Sequence, residues 1–200
     1  MQTNNRFRAS YTVLNKWKNG DWEGAIKTYF KFDQITTREM AEGKDYHAEW
    51  EAEIKKTSSL PAIFGAKKLQ VPICEGKQVV QLEDWLDLVY IPDCIDVPIL
   101  YEFKTGKTSS MQYASDWQIA IYAVGATLSG KYIKMAEIYH YDQYTKKVDM
   151  SPVWITDKLL NETHERIISL SSEMHSYFVD NRLYERFGHL INNVNRTNEA

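Results

Sequence analysis

The sequence predicts an α/β fold: a central mixed β-sheet flanked by helices. Three features carry that prediction. Four short runs rich in Val, Ile and Tyr lie between residues 69 and 104, helical stretches stand on either side of them, and a long amphipathic segment follows near the C-terminus. With 44% hydrophobic and 13% aromatic residues, the 200-residue chain can bury a sizeable core. It is therefore expected to form one domain over 1–200. Its core would span about 37–155, with a C-terminal helix over about 156–180 and a frayed tail over about 190–200.

The elements follow in order. Ser10 is placed to cap a short helix over Thr12–Lys18, and Gly20–Asp21 marks a break. Thr36 stands three residues before Glu39, a capping-box spacing that opens a helix from about Thr37 to Lys55. Met40, His47 and Ile54 repeat along one face of that helix. The runs "LQVPIC", "KQVVQLE", "WLDLVYI" and "ILYEFK" read as strands, separated by turns at Glu75–Gly76, Pro92–Asp93 and Thr105–Gly106. A helix is expected over Ser110–Leu128, stopped by Ser129–Gly130, and a strand pair follows within residues 132–155. In the last helix, Leu160, Thr163, Ile167, Leu170, Met174 and Tyr177 step by three and four into one stripe.

Composition excludes several classes. A net charge of −3 gives no global basic character, although residues 1–20 carry four basic side chains and residues 81–103 six acidic ones. Two cysteines, Cys74 and Cys94, are too few for a four-cysteine zinc or iron–sulfur site and are expected as free thiols. No apolar run reaches the roughly 18 residues of a membrane span, and the N-terminus shows no secretory signal. The expectation is a soluble cytoplasmic protein without a membrane partner.

The chemistry centres on "YEFKTGK". Period two puts Glu102 and Lys104 on one face of the strand and Phe103 on the other. Phe103 can anchor the strand in the core while its carbonyl stays near the two polar side chains. A carboxylate, a carbonyl and an ammonium at one strand end can hold a hard cation. A surface ion pair is the simpler alternative for an isolated Glu-x-Lys. Asp87 lies between Leu86 and Leu88 in an apolar strand, where a buried carboxylate must be paired or coordinated. A hairpin into "ILYEFK" would carry it beside Glu102, and a divalent cation would relieve their repulsion. The alternative is an Asp87 facing solvent.

This order of residues resembles the PD-(D/E)XK nuclease superfamily, and two helix motifs narrow the resemblance to its RecB-like exonuclease branch. "GKDYHAEWE" is similar to the Gly-x3-His motif through Gly43 and His47, and "QIAIY" to the Gln-x3-Tyr motif through Gln118 and Tyr122. "LYEFKTGK" is similar to the acidic-x-Lys-Thr-Gly-Lys strand, and "FRASYTVLNKW" more weakly to the Ser-containing opening of such domains. The motifs cover about residues 43–122. The resemblance implies a restriction-endonuclease-like core and a divalent-metal-dependent DNA nuclease. In it His47, Asp87, Glu102 and the Phe103 carbonyl would hold Mg²⁺ or Mn²⁺, singly or as a pair. Lys104 would orient or activate water, and Gln118 and Tyr122 would position the strand end or meet DNA. Glu51, one turn after His47, would complete the metal shell or be a solvated charge. Lys107 and the hydroxyls of "KTGKTSS" would meet phosphate.

Two departures stand out. Asp84 occupies a position where the family often has Gly, and the cysteines of its iron–sulfur members are absent, so no cluster is carried over. Without a phosphate-binding GxxxxGK[ST] loop, any helicase or recombination protein acting with the chain would be a separate protein. A non-catalytic nucleic-acid-binding or assembly module of the same fold is the alternative, and an unrelated α/β protein ranks last.

Overall fold

The computed structural model describes residues 6–32 and 38–196. They group into two compact units. The first is built from the described parts of Met1–Ile35, Gln81–Val89 and His164–Ala200, the second from those of Thr36–Val80 and Tyr90–Thr163. The expected class is what forms: a mixed α/β chain whose sheets are flanked by helices.

The first unit begins with strand β1 (Phe7–Ser10) and helices α1 (Tyr11–Lys18) and α2 (Trp22–Tyr29). Ser10 precedes α1 in extended backbone but makes no side-chain cap bond. Asp21 caps α2, its Oδ1 accepting from the Gly24 N–H at 3.0 Å. Strands β2 (Gln78–Glu83) and β3 (Leu86–Tyr90) join β1 in a sheet of order β1-β3-β2, with β1 parallel to β3. The unit's core is a cluster of rings. Phe178 meets Tyr29 at 5.0 Å, Phe30 at 5.3 Å and Tyr184 at 5.8 Å between centroids.

In the second unit, α3 (Arg38–Thr57) comes first; Thr36, expected to cap it, lies outside the described residues. Its buried face is Trp50 and Ile54, while Met40, expected on that face, is exposed. Strands β4 (Cys94–Asp96), β5 (Ile99–Thr105), β6 (Met135–Asp142) and β7 (Lys147–Trp154) form the central sheet in that order. The middle pair is parallel and the outer pairs are antiparallel. On one face, Phe103, Tyr139 and Tyr141 pack with Trp50, Ile54 and Phe64. Helices α4 (Ser110–Ala114) and α5 (Gln118–Leu128) connect β5 to β6. Gly125 of α5 is required by a close approach: a Cβ there would lie 2.5 Å from the buried ring of Tyr90.

Several sequence expectations change. "LQVPIC" forms no strand; it makes one isolated bridge, Ile73 to Ile95, and Pro72 removes a backbone donor from the run. The helix expected over Ser110–Leu128 breaks between Ala114 and Gln118. There Ser115 Oγ donates to the Gln112 carbonyl and Asp116 Oδ1 accepts from the Gln118 N–H, side-chain bonds that compete with the helical ladder. The long helix α6 (Asp157–Asp180) buries Thr163, Ile167, Ser171, Met174 and Phe178. Its stripe thus passes through Phe178 rather than the half-exposed Tyr177, since Phe178 fills the ring cluster. Helix α7 (Leu183–Arg196) packs Tyr184 and Phe187 on Phe30 and runs into the tail expected over about 190–200, whose last residues, 197–200, lie outside the described residues. Cys74 and Cys94 are free and buried. Among the described residues no helix is long and apolar enough to cross a membrane.

Candidate active site

The site is assembled on β5, and the alternation of that strand explains its form. Phe103 points into the apolar face, its ring stacked on Phe64 at 5.1 Å. Glu102 and Lys104 therefore emerge together on the other face. Lys104 Nζ donates to Glu102 Oε1 at 2.6 Å and to Gln118 Oε1 at 2.9 Å. Gln118 Nε2 in turn donates to the Tyr122 hydroxyl at 2.7 Å, one turn along α5. The Tyr113 ring lies 5.4 Å from Lys104 Nζ. Glu102, Lys104, Gln118 and Tyr122, four of the residues singled out in the sequence, thus form one connected chain of bonds.

His47 reaches the same strand through an aspartate that the sequence reading treats only as a turn residue. His47 Nδ1 bonds Asp93 Oδ1 at 2.9 Å, and Asp93 Oδ2 accepts from the Phe103 N–H at 2.7 Å. Asp93 directly precedes β4, whose antiparallel pairing sets Cys94 opposite Tyr101 and so brings Asp93 alongside Glu102. With Nδ1 committed to Asp93, His47 keeps Nε2 for any other ligand. Gly43 stands one turn before His47, where a Cβ would come within 3.2 Å of Thr105 Oγ1. Glu51 forms an ion pair with Lys55 on the exposed side of α3.

Asp87 has a different environment. Its Oδ1 accepts from Arg6 Nη1 at 3.1 Å, and its strand β3 pairs with β1, Arg8 standing opposite Asp87. The hairpin expected to carry Asp87 to Glu102 does not form, since the antiparallel neighbour preceding β5 is the short strand β4. Pro92 ends the run after β3, and the chain bends at Asp93 before pairing resumes. A signal for Asp93 was present: it follows Pro92 and stands nine residues before Glu102.

Electrostatics follow from this packing. Glu102 is 3% exposed, and its Oε2 has no hydrogen-bond partner among the described residues. Burial, then the neighbouring Asp93 charge, push its carboxyl up to about 7, against the pull of Lys104 and His47. Burial alone would lower Lys104, but the Glu102 charge and hydrogen bond hold it above the ordinary lysine value. Burial would likewise lower His47, and its bond to Asp93 outweighs that and raises it.

The donor set fits a hard divalent cation. The unpaired Glu102 oxygen and the repulsion between Glu102 and Asp93 are both relieved by positive charge placed between them. The remaining lone pairs of Asp93 stay available, since each carboxylate oxygen carries two. Among the described residues no three His, Cys, Asp or Glu side chains converge into a metal cage. Two carboxylates completed by water and phosphate oxygens are the usual surroundings of Mg²⁺, which seldom takes an all-protein cage.

No protein-family model matches the sequence, and no curated protein does. Solved structures match the fold. The alkaline exonuclease LHK-Exo from Laribacter hongkongensis superposes with a TM-score of 0.52 over 90% of this chain and 95% of that one, at 10% identity. LHK-Exo in complex with dAMP gives 0.54 over 91% and 94%, at 11% identity. A phage-related exonuclease from Haemophilus somnus 129PT covers 90% of this chain and 99% of that one at 10% identity, with a TM-score of 0.48. The shared architecture with LHK-Exo spans nearly the whole of both chains, and the fold of this protein is that of LHK-Exo.

Proposed function

We propose that the chain is a divalent-metal-dependent deoxyribonuclease that hydrolyses phosphodiester bonds as a RecB-like exonuclease, using Mg²⁺ or Mn²⁺. One observation carries this reading: Lys104 is clamped between Glu102 and Gln118 while the second Glu102 oxygen stays buried and unpaired beside Asp93. A lone structural ion pair has no use for an orphaned carboxylate oxygen, which is costly to bury. The exonuclease fold supports the same conclusion, and LHK-Exo solved with dAMP supports a deoxynucleotide strand as substrate.

In this mechanism Asp93 and Glu102, with the Phe103 carbonyl, are the cation's ligands, and His47 orients Asp93 from behind. A bound cation would neutralise the two carboxylates and polarise the phosphoryl group. Lys104, fixed by two acceptors, points its remaining proton at the attacking water and at charge developing on the phosphate. Gln118 holds Lys104 in place, and Tyr122 holds Gln118. Asp93 takes the ligand role that the sequence alone suggested for Asp87.

Cleavage of labelled single- and double-stranded DNA, linear and circular, tests the proposal in Mg²⁺, Mn²⁺ and EDTA. Cutting is expected with either metal, from the ends of linear substrates, and not in EDTA. Lys104→Ala and Asp93→Asn should abolish it with folding retained. DNA binding without turnover in any metal would overturn the enzyme reading in favour of a binding module.

A further inference from the structure

The loop that follows Lys104 is fastened at both ends by a histidine–aspartate pair on the neighbouring strands. His140 stands on β6 opposite Lys104 and is 3% exposed. Its Nε2 donates to the Gly106 carbonyl at 2.9 Å, and its Nδ1 meets Asp149 Oδ1 at 2.7 Å. Asp149, its partner on β7, uses Oδ2 to accept from the Ser110 N–H at 2.7 Å. The Ser110 and Ser151 hydroxyls bond at 2.7 Å and close the network. Gly106 and Ser110 bracket the loop "GKTS", so one dyad holds its entry and its exit. Among the described residues, Lys104 on β5, Asp142 on β6, Asp149 on β7 and the Tyr113 ring on α4 are charged and titratable groups near it.

The fastened loop presents a cation. Lys107 projects from it, Nζ 5.1 Å from the ring centroid of Tyr144, which is 66% exposed. An ammonium on an open tyrosine face, beside loop N–H and hydroxyl groups, suits a sugar–phosphate strand. The Gly106 backbone, at φ 115, lies where other residues are strained, so the dyad fixes a turn that glycine alone adopts freely.

We propose that His140 and Asp149 are positioning residues that hold the Gly106–Ser109 loop so that Lys107 meets a backbone phosphate of the bound DNA. This rests on the nuclease reading above. Neither residue touches the reacting atoms; they act through the loop.

The test combines amide hydrogen exchange with steady-state cleavage for His140→Leu, His140→Gln, Lys107→Ala and the His140→Leu/Lys107→Ala pair. His140→Leu should speed exchange across residues 106–110 by about tenfold or more, as expected for loss of a charged hydrogen bond. It should raise KM for DNA about tenfold with kcat within about threefold. It should also lower the slope of log KM against log salt by about one, as Lys107→Ala does, because one phosphate contact is lost. The paired variant should be no worse than Lys107→Ala. His140→Gln keeps one donor and should recover part of the loss. If His140→Leu lowers only the melting temperature, with exchange, KM and salt slope as in wild type, this inference alone is overturned. A wild type that neither cuts nor binds DNA overturns the nuclease reading and this inference with it.

Discussion

Around Phe178 rings meet rings, whereas around Glu102 charges meet charges, and the contrast separates stability from function. In the first unit Phe178 touches Phe7, Trp17, Tyr29, Phe30 and Tyr184, and the ionisable groups nearby are paired. Arg6 answers Asp87, and the Tyr184 hydroxyl answers His175. In the second unit the apolar face of the sheet is just as well packed, but the opposite face of β5 keeps a buried carboxylate with one oxygen unanswered. Burial without satisfaction costs stability and pays off only where a ligand completes the site. The same chain thus shows one carboxylate answered by an ion pair, Asp87 with Arg6, and one buried with an oxygen unanswered, Glu102.

Four substitutions can break or sharpen that contrast. Phe178→Ala should have the largest effect on folding, about 3–5 kcal/mol by denaturant unfolding, because it empties the centre of the ring cluster. Glu102→Gln should do the reverse. It should cut DNA cleavage by about 10²–10³-fold while unfolding stability stays equal or rises, since a neutral amide replaces a carboxyl that burial already disfavours. Equal loss of stability and activity in this variant would erase the distinction. Asp87→Asn should be milder, costing about 1 kcal/mol for the part-buried ion pair with Arg6 and leaving cleavage within about twofold. A loss of cleavage as severe as for Asp93→Asn would restore Asp87 to the site.

The smallest effect concerns pH. Burial holds His175 below the usual histidine value, so the unfolded chain binds its proton more readily than the folded one. Stability is then greatest above the unfolded value of about 6.5 and falls as pH drops below it towards the folded value. His175→Phe keeps a ring among Phe7, Trp85 and Tyr184 and should flatten the fall in melting temperature between pH 7.5 and 5. An unchanged slope would assign the acid sensitivity to other groups.

Much of this architecture could be read in order along the chain. Alternation in "ILYEFK" determines that Glu102 and Lys104 share a face opposite Phe103. The four-residue spacings Gly43–His47 and Gln118–Tyr122 each set two residues on one side of a helix. Val- and Tyr-rich runs and the long C-terminal stripe determine an α/β chain. These are local properties, fixed by backbone periods of 2 and 3.6. Which carboxylate stands beside Glu102 is a matter of strand pairing, and that lies outside local periodicity. Asp87 and Asp93 are both acidic residues shortly before β5. The choice fell to Asp93 because β3 pairs with β1, whereas the three residues after Asp93 pair with β5. The His140–Asp149 clamp is likewise invisible in sequence. Its two members lie nine residues apart, across the β6–β7 pair, and the main-chain groups they bind come from a third segment. Periodicity assigned faces, and long-range pairing, which only the folded chain possesses, decided which faces met.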